Sequence, residues 1–189
     1  MVGADPFSLG LRLRGRFKPR TAIDVIARAM VAAEKSEFET VLDLPCGGGR
    51  VTRHLRVFFP ESKIFVSELN SQLQDFAADR FDTIAFAAAR DFATPSERKF
   101  DLIFVGSLLT HLDENKFRRA LDWFLDALAP DGLLIATTHG RQHDMRQRTI
   151  RQFTPPDRYQ RIYAGFVDRG FGYAPYEGED YGLSMCRPF

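Results

Sequence analysis

An α/β fold, with a mostly parallel seven-stranded sheet, an antiparallel edge strand and helices on both faces, is predicted by three features of the chain. Short apolar runs rich in Val, Ile, Leu and Phe alternate with segments of helical spacing, the pattern of strands joined by crossover helices. The runs are nearly continuous, as strands covered on both faces require. The last two runs, at 172–176 and 183–187, follow one another without a helix, which fits an antiparallel hairpin at one edge.

Composition agrees with this class. With 189 residues, 44% hydrophobic and 27% charged, the chain has the makings of one sizeable core. It holds no apolar run of about 18 residues and no basic-then-apolar leader, so no membrane span or secretory signal is expected and the default location is cytoplasmic. Cys46 and Cys186 lack metal-ligand spacing and are expected to be reduced thiols, with Cys46 packing a loop. A net charge of +1 does not mark a polyanion binder.

Taken in order, residues 1–20 form a basic arm and residues 21–189 a single domain. Arg12, Arg14, Arg16, Lys18 and Arg20 recur at every second position, which in an extended segment puts all five on one side. Such an arm is either a solvated face or a cover that closes over a cofactor and holds an anionic substrate. Residues 21–35 place Ile23, Ile26, Ala27, Met30 and Val31 at helical spacing, with Thr21 as the cap. The first strand is 40–44. Helix 50–59 should bury Val51, Leu55 and Phe58 and stop at Pro60. The second strand is 63–68, and Asn70 caps a helix to about residue 80. Residues 83–88 read as strand or helix because of their alanines, and their position makes them strand three. The fourth strand is 100–106. Helix 114–128 carries Phe117, Leu121, Phe124, Leu125 and Leu128 on one face and ends at Pro130-Asp131-Gly132, before strand five at 133–138. Residues 139–155 show no period and are rich in basic side chains, as in a functional loop, and 157–168 is a last helix.

Everything is organised around residues 41–55, where the run Val41-Leu42-Asp43 is followed by Leu44-Pro45-Cys46, then Gly47-Gly48-Gly49, then an amphipathic segment. This reads as strand, tight loop, helix. Glycines let a ligand reach backbone amides and accept positive φ. A dinucleotide fingerprint would want a small third residue where Thr52 stands, and it rarely opens with an acid, so a pyrophosphate site is disfavoured. Asp43 would repel phosphate and attract a cationic amine.

The stretch resembles motif I of the class I S-adenosylmethionine-dependent methyltransferases, whose acid-x-Gly-x-Gly-x-Gly stands here as Asp43 to Gly49 with Pro45 in place of the first glycine. The resemblance implies a Rossmann-like class I methyltransferase fold and S-adenosyl-L-methionine as cofactor, held by Asp43, Pro45, Gly47, Gly48 and Gly49. Further stations follow in order along residues 40–140. Glu68 ends the second strand about 20 residues past the glycines, where a carboxylate accepts from ribose hydroxyls; otherwise it serves as a helix-cap partner. Leu69 would lie against the adenine. Asp91-Phe92 resembles the family's adenine-binding acid-x step, unless Asp91 is a solvated loop acid. Val105 and Gly106 end the fourth strand, where the family exposes backbone to the methionine part.

Methyl transfer from a sulfonium chiefly needs an aligned nucleophile. For a hydroxyl acceptor a general base helps, and the candidates are His139 first and His111 second. Asp113 would orient His111 or cap the next helix. A metal site from His139, His143 and Asp144 has no further ligands, so no metal is expected. Residues 105–108 lack both the Asn/Asp-Pro-Pro-aromatic step of amino-methylating nucleic-acid enzymes and the Pro-Cys context of cytosine-C5 enzymes, so nucleic acid is not the expected partner. The basic arm and Arg141, Arg146, Arg148 and Arg151 suit an anionic small molecule or glycan, with Tyr159, Tyr163, Tyr173 and Tyr176 as a wall for a sugar or ring. The expected function is methylation of an oxygen on such an acceptor. The alternatives are a non-catalytic cofactor-binding or scaffold member of the same fold, and an NAD-linked oxidoreductase.

Overall fold

The computed structural model describes the chain over residues 19–88, 91–139 and 181–186. In order these hold α1 (Pro19–Ala32), β1 (Thr40–Asp43), α2 (Thr52–Phe58), β2 (Lys63–Val66), α3 (Ser71–Arg80), β3 (Ile84–Ala85) and β4 (Phe100–Val105). A 3-10 turn (Leu109–His111), α4 (Glu114–Ala127), β5 (Leu128–His139) and β6 (Tyr181–Cys186) follow. The sheet runs β3-β2-β1-β4-β5, all parallel, and β6 pairs antiparallel with β5. Residues 157–168 and 172–176, expected as a helix and a strand, lie outside the described residues.

The continuous apolar runs are explained by cover on both faces. Alternate residues of one strand enter different layers: Val41 packs with Ile26, Met30 and Leu55 of α1 and α2, and Leu42 packs with Phe117, Leu121 and Phe124 of α4. Among the described residues no helix is long and apolar enough to cross a membrane.

Several elements differ from their expected form. Pro19 and Arg20 lie inside α1, so Thr21 is not its cap, and Pro19 suits a first turn where its missing N–H costs nothing. The helix stops at Ala32 because Glu34 takes φ +54 and the Lys35 and Glu34 amides turn back to the Met30 and Val31 carbonyls. Its inward stripe is Ala22, Ile26, Ala29 and Met30, continued by Ala33 just past its end, and Val31 faces outward. Helix α2 ends one residue early, so Phe59 turns into the core against Phe38 and Phe58 is left 41% exposed. Strand β3 is reduced to two residues, since only β2 pairs with it. Strand β5 starts at Leu128, whose pairing with Phe100 is separated by a register shift from the Leu102–Leu133 pair. The shift is taken up at Asp131 (φ +59) and Gly132, where a Cβ would stand 2.9 Å from the Ala129 carbonyl oxygen.

Arg56 fastens the site-bearing helix to the rest. Its guanidinium donates to the carbonyls of Phe59, Pro60 and Ser62 and, across the layer, of Phe81 and Asp82. Truncation strands those carbonyls together, so Arg56→Ala should cost about 2–4 kcal/mol in urea unfolding. Lysine should restore little, because a point ammonium cannot reproduce the planar fork.

Candidate functional site

The order of strands creates the site. From β1 the chain moves outward through β2 and β3, then returns to β4 on the other side of β1, so a crevice opens beyond the carboxyl ends of β1 and β4. Asp43 is the last residue of β1, level with Val66 of β2 and Phe104 of β4. It is only 1% exposed, and its Oδ2 accepts from the Thr52 hydroxyl at 2.6 Å. Burial pushes its carboxyl up to about 7, against the Thr52 hydrogen bond and with help from the nearby Glu68 charge. Near neutral pH the group is therefore poised between acid and carboxylate, and a cation placed beside it would draw the proton off.

The loop after Asp43 is stitched to both neighbours. Leu44 N–H donates to the Phe104 carbonyl (3.0 Å) and Cys46 N–H to the Ser67 carbonyl (3.0 Å), and the Leu44–Pro45 peptide is cis. The three glycines are not equivalent. Gly47 takes φ +51, and a Cβ on it or on Gly48 would meet nothing within 4 Å. Gly49, at φ +75, is occupied from one side: a Cβ there would stand 2.1 Å from the Phe81 ring. Gly47 and Gly48 therefore form the approachable backbone, and Gly49 is a packing position.

Glu68 lies two residues beyond β2. Its Oε2 accepts from the Gly47 N–H (3.0 Å), and Oε1 accepts from the Leu69 and Asn70 N–H groups (2.7 and 3.4 Å). One carboxylate thus anchors both the glycine loop and the entry to α3, where Asn70 caps as expected by accepting from the Gln72 and Leu73 amides. Leu69 beside it is 64% exposed, an apolar surface beyond the strand end.

The other expected positions are arranged less tightly. Asp91 is exposed and its Oδ1 accepts from the Ala93 N–H; Phe92, at φ +57, packs its ring against Trp123 and Phe124. Val105 is fully buried and Gly106 follows, with a Cβ position 3.0 Å from the Phe104 ring. His111 is exposed at the end of the 3-10 turn. Asp113 does not orient it: Asp113 caps α4, accepting from the Lys116 N–H (2.9 Å) and pairing with the Lys116 ammonium (3.1 Å). His139 is the last residue of β5, at the same end of the sheet as Asp43 and Val105, and is level with Tyr181 of β6. His143, Asp144, the basic positions from Arg141 to Arg151 and the four tyrosines lie outside the described residues. Among the described residues no cluster of His, Cys, Asp and Glu could hold a metal ion.

One feature was not drawn from sequence. Thr52, weighed only as the wrong residue for a dinucleotide loop, is the buried partner of Asp43; a small hydroxyl at the start of α2 was the available signal. Cys46, expected to pack the loop, is buried against Val66 and Ala77, and burial with the charges of Asp43 and Glu68 pushes its thiol up to about 12, so it remains protonated near neutral pH.

Comparison with known proteins places these observations. A family model described as a methyltransferase domain matches residues 14–169. Over 106 residues the chain is 28% identical to malonyl-[acyl-carrier protein] O-methyltransferase of Hahella chejuensis (strain KCTC 2396), a match covering 53% of this chain and 36% of that relative. The chain thus spans well under two thirds of that relative's length. The N-methyltransferase NodS of Bradyrhizobium japonicum WM9 superimposes with a TM-score of 0.64 at 19% identity, covering 90% of this chain and 96% of NodS. A TehB-like S-adenosylmethionine-dependent methyltransferase of Corynebacterium glutamicum ATCC 13032 Kitasato gives 0.57 at 17% identity, with 90% and 100% covered. At these identities the structures share the fold.

Proposed function

The chain belongs to the class I S-adenosylmethionine-dependent methyltransferase family, and from that membership we propose that it transfers a methyl group from S-adenosyl-L-methionine to an oxygen of an anionic small molecule or glycan. The observation that carries the cofactor reading is the Gly47–Glu68 bond beside open space at Gly47 and Gly48. A carboxylate and a backbone open to close approach, beyond adjacent strand ends, are what a ribose and an amino-acid tail need. The cofactor supplies a methyl group already activated by positive sulfur.

The chain's own residues then bind and align. Asp43, with Pro45 shaping the turn beside it, provides the negative field for the ammonium, while Gly47 and Gly48 admit the tail and Gly49 keeps the loop seated on Phe81. Glu68 uses its remaining lone pairs for the ribose hydroxyls, Leu69 covers one face of the adenine, and Asp91 with the Phe92 amide reads its edge. Val105 and Gly106 present backbone to the methionine part. An imidazole at the end of β5, His139, removes the acceptor's hydroxyl proton, with His111 as the second candidate. His139→Ala should lower turnover about 100-fold and leave cofactor affinity within twofold; unaltered turnover would remove His139 from the mechanism.

The oxygen acceptor is supported by the O-methyltransferase of Hahella chejuensis among the relatives, and the negative charge by Arg141, Arg146, Arg148 and Arg151 in the sequence. The same reading completes the sheet to seven strands, with 172–176 beside an antiparallel β6 at the edge, and places the protein in the cytoplasm. Titration calorimetry with S-adenosylmethionine, followed by transfer of labelled methyl into a cell extract, tests it. Binding with transfer to a hydroxyl-bearing anion supports it; binding without transfer to anything would make the chain a non-catalytic member.

A further inference from the structure

The loop after β4 is held by an unusual clasp. Ser107 is a non-glycine residue at φ +60, a conformation that side chains disfavour and that persists only when its surroundings impose it. Both of its backbone polar groups are held by threonine hydroxyls. Its N–H donates to Thr137 Oγ1 at 2.6 Å, and its carbonyl accepts from Thr110 Oγ1 at 3.0 Å.

Thr137 belongs to β5, one residue past the Val105–Ala136 pairing, and is 3% exposed at the end of the buried apolar run Leu133 to Ala136. A valine would fill that space with equal volume and better strand propensity. The hydroxyl is there to receive an amide. Beyond the clasp, Leu109 is buried in the core layer under α4, so the turn Leu109–His111 is fastened at three points. The clasp also joins the two elements that carry the candidate bases, since His139 lies two residues past Thr137 and His111 one residue past Thr110.

The geometry points to Thr137 as a positioning residue for methyl transfer: through Ser107 it fixes the backbone beyond β4 against the end of β5, and so sets the wall along which the acceptor is aligned. This rests on the methyl-transfer reading above. Reaction rates are sensitive to displacements of about 1 Å at such a wall, whereas most of the cofactor's contacts, at the ends of β1 and β2, lie away from it.

The test compares wild type, Thr137→Val, Thr137→Ser and Thr110→Val. Each is measured for S-adenosylmethionine affinity by calorimetry, for initial rate of label transfer from saturating methyl-labelled cofactor into a cell-metabolite extract, and for exchange of the Ser107 amide. Thr137→Val should leave affinity within threefold, lower the rate about 10–100-fold and speed Ser107 exchange at least tenfold, and serine should restore both. Thr110→Val, which alters only the outer bond of the clasp, should lower the rate in the same direction and keeps the question decidable if Thr137→Val does not fold. An unchanged rate in the folded variants, or equal loss in valine and serine variants, overturns the assignment while leaving the methyltransferase reading intact. A wild type that binds no cofactor instead sinks that reading, and with it this role for Thr137.

Discussion

Asp43→Asn should weaken S-adenosylmethionine binding on the order of 100-fold at pH 8 while making the cofactor-free protein more stable. The first effect is electrostatic. At ~6 Å and an effective dielectric of about 20, a carboxylate and an ammonium attract by about 3 kcal/mol, which is roughly 100-fold in affinity. The second comes from burial. Raising a carboxyl from 3.8 to about 7 corresponds to on the order of 4 kcal/mol in favour of its protonated form. In the folded protein Asp43 keeps its proton up to about pH 7, and in the unfolded chain only to about 3.8, so unfolding between those values releases a proton. Raising the pH through this window favours the unfolded chain, and the cost is complete above pH 7. Asparagine carries no such cost. The variant's gain in Tm should therefore be small at pH 4.5 and largest at pH 8. Wild-type affinity should climb from pH 6 to pH 8 as Asp43 ionises, and the variant's affinity should stay flat. An asparagine variant that binds the cofactor normally, or is less stable at pH 8, would mean that the buried acid serves only the Thr52 bond.

Glu68→Ala should produce a loss of similar size at the other end of the ligand. A hydrogen bond to a charged group contributes about 1.5–3 kcal/mol, so removing the ribose acceptor, which is also the Gly47 anchor, should cost about 10–150-fold in affinity. Adenosine separates the two acids. Its binding should fall with Glu68→Ala and be indifferent to Asp43→Asn, because adenosine has a ribose and no ammonium. Equal losses in both variants would point to a collapsed loop rather than to two separate contacts.

Much of this was legible in the sequence for a physical reason. Strands buried on both faces read as unbroken apolar runs, so β1, β2, β4 and β5 and the acids at or just beyond their ends could be placed from spacing alone. Asn70 and Asp113 lie where short polar caps belong, and both cap. What depended on contacts between distant residues was not legible. Nothing local says that Gly49 exists for the Phe81 ring, that Thr52 reaches back nine positions to Asp43, or that Thr137 receives an amide from a loop 30 residues earlier. Of the two exposed side chains placed wrongly, Phe58 sits where α2 ends a residue early, and Val31 stands beside the buried stripe of Ala22, Ile26, Ala29 and Met30 rather than on it. Phe92 went unread as a core residue because its partners Trp123 and Phe124 come from α4.

The central claim is that Asp43, the open glycine backbone and Glu68 together receive S-adenosylmethionine, and a crystal structure grown with S-adenosylhomocysteine tests it most directly. Ribose hydroxyls within hydrogen-bonding distance of the Glu68 carboxylate, with the amino-acid tail across Gly47 and Gly48 on the Asp43 side, are the predicted result. A ligand bound elsewhere, or side chains filling the space at Gly47 and Gly48 with no ribose hydroxyl at Glu68, would contradict it.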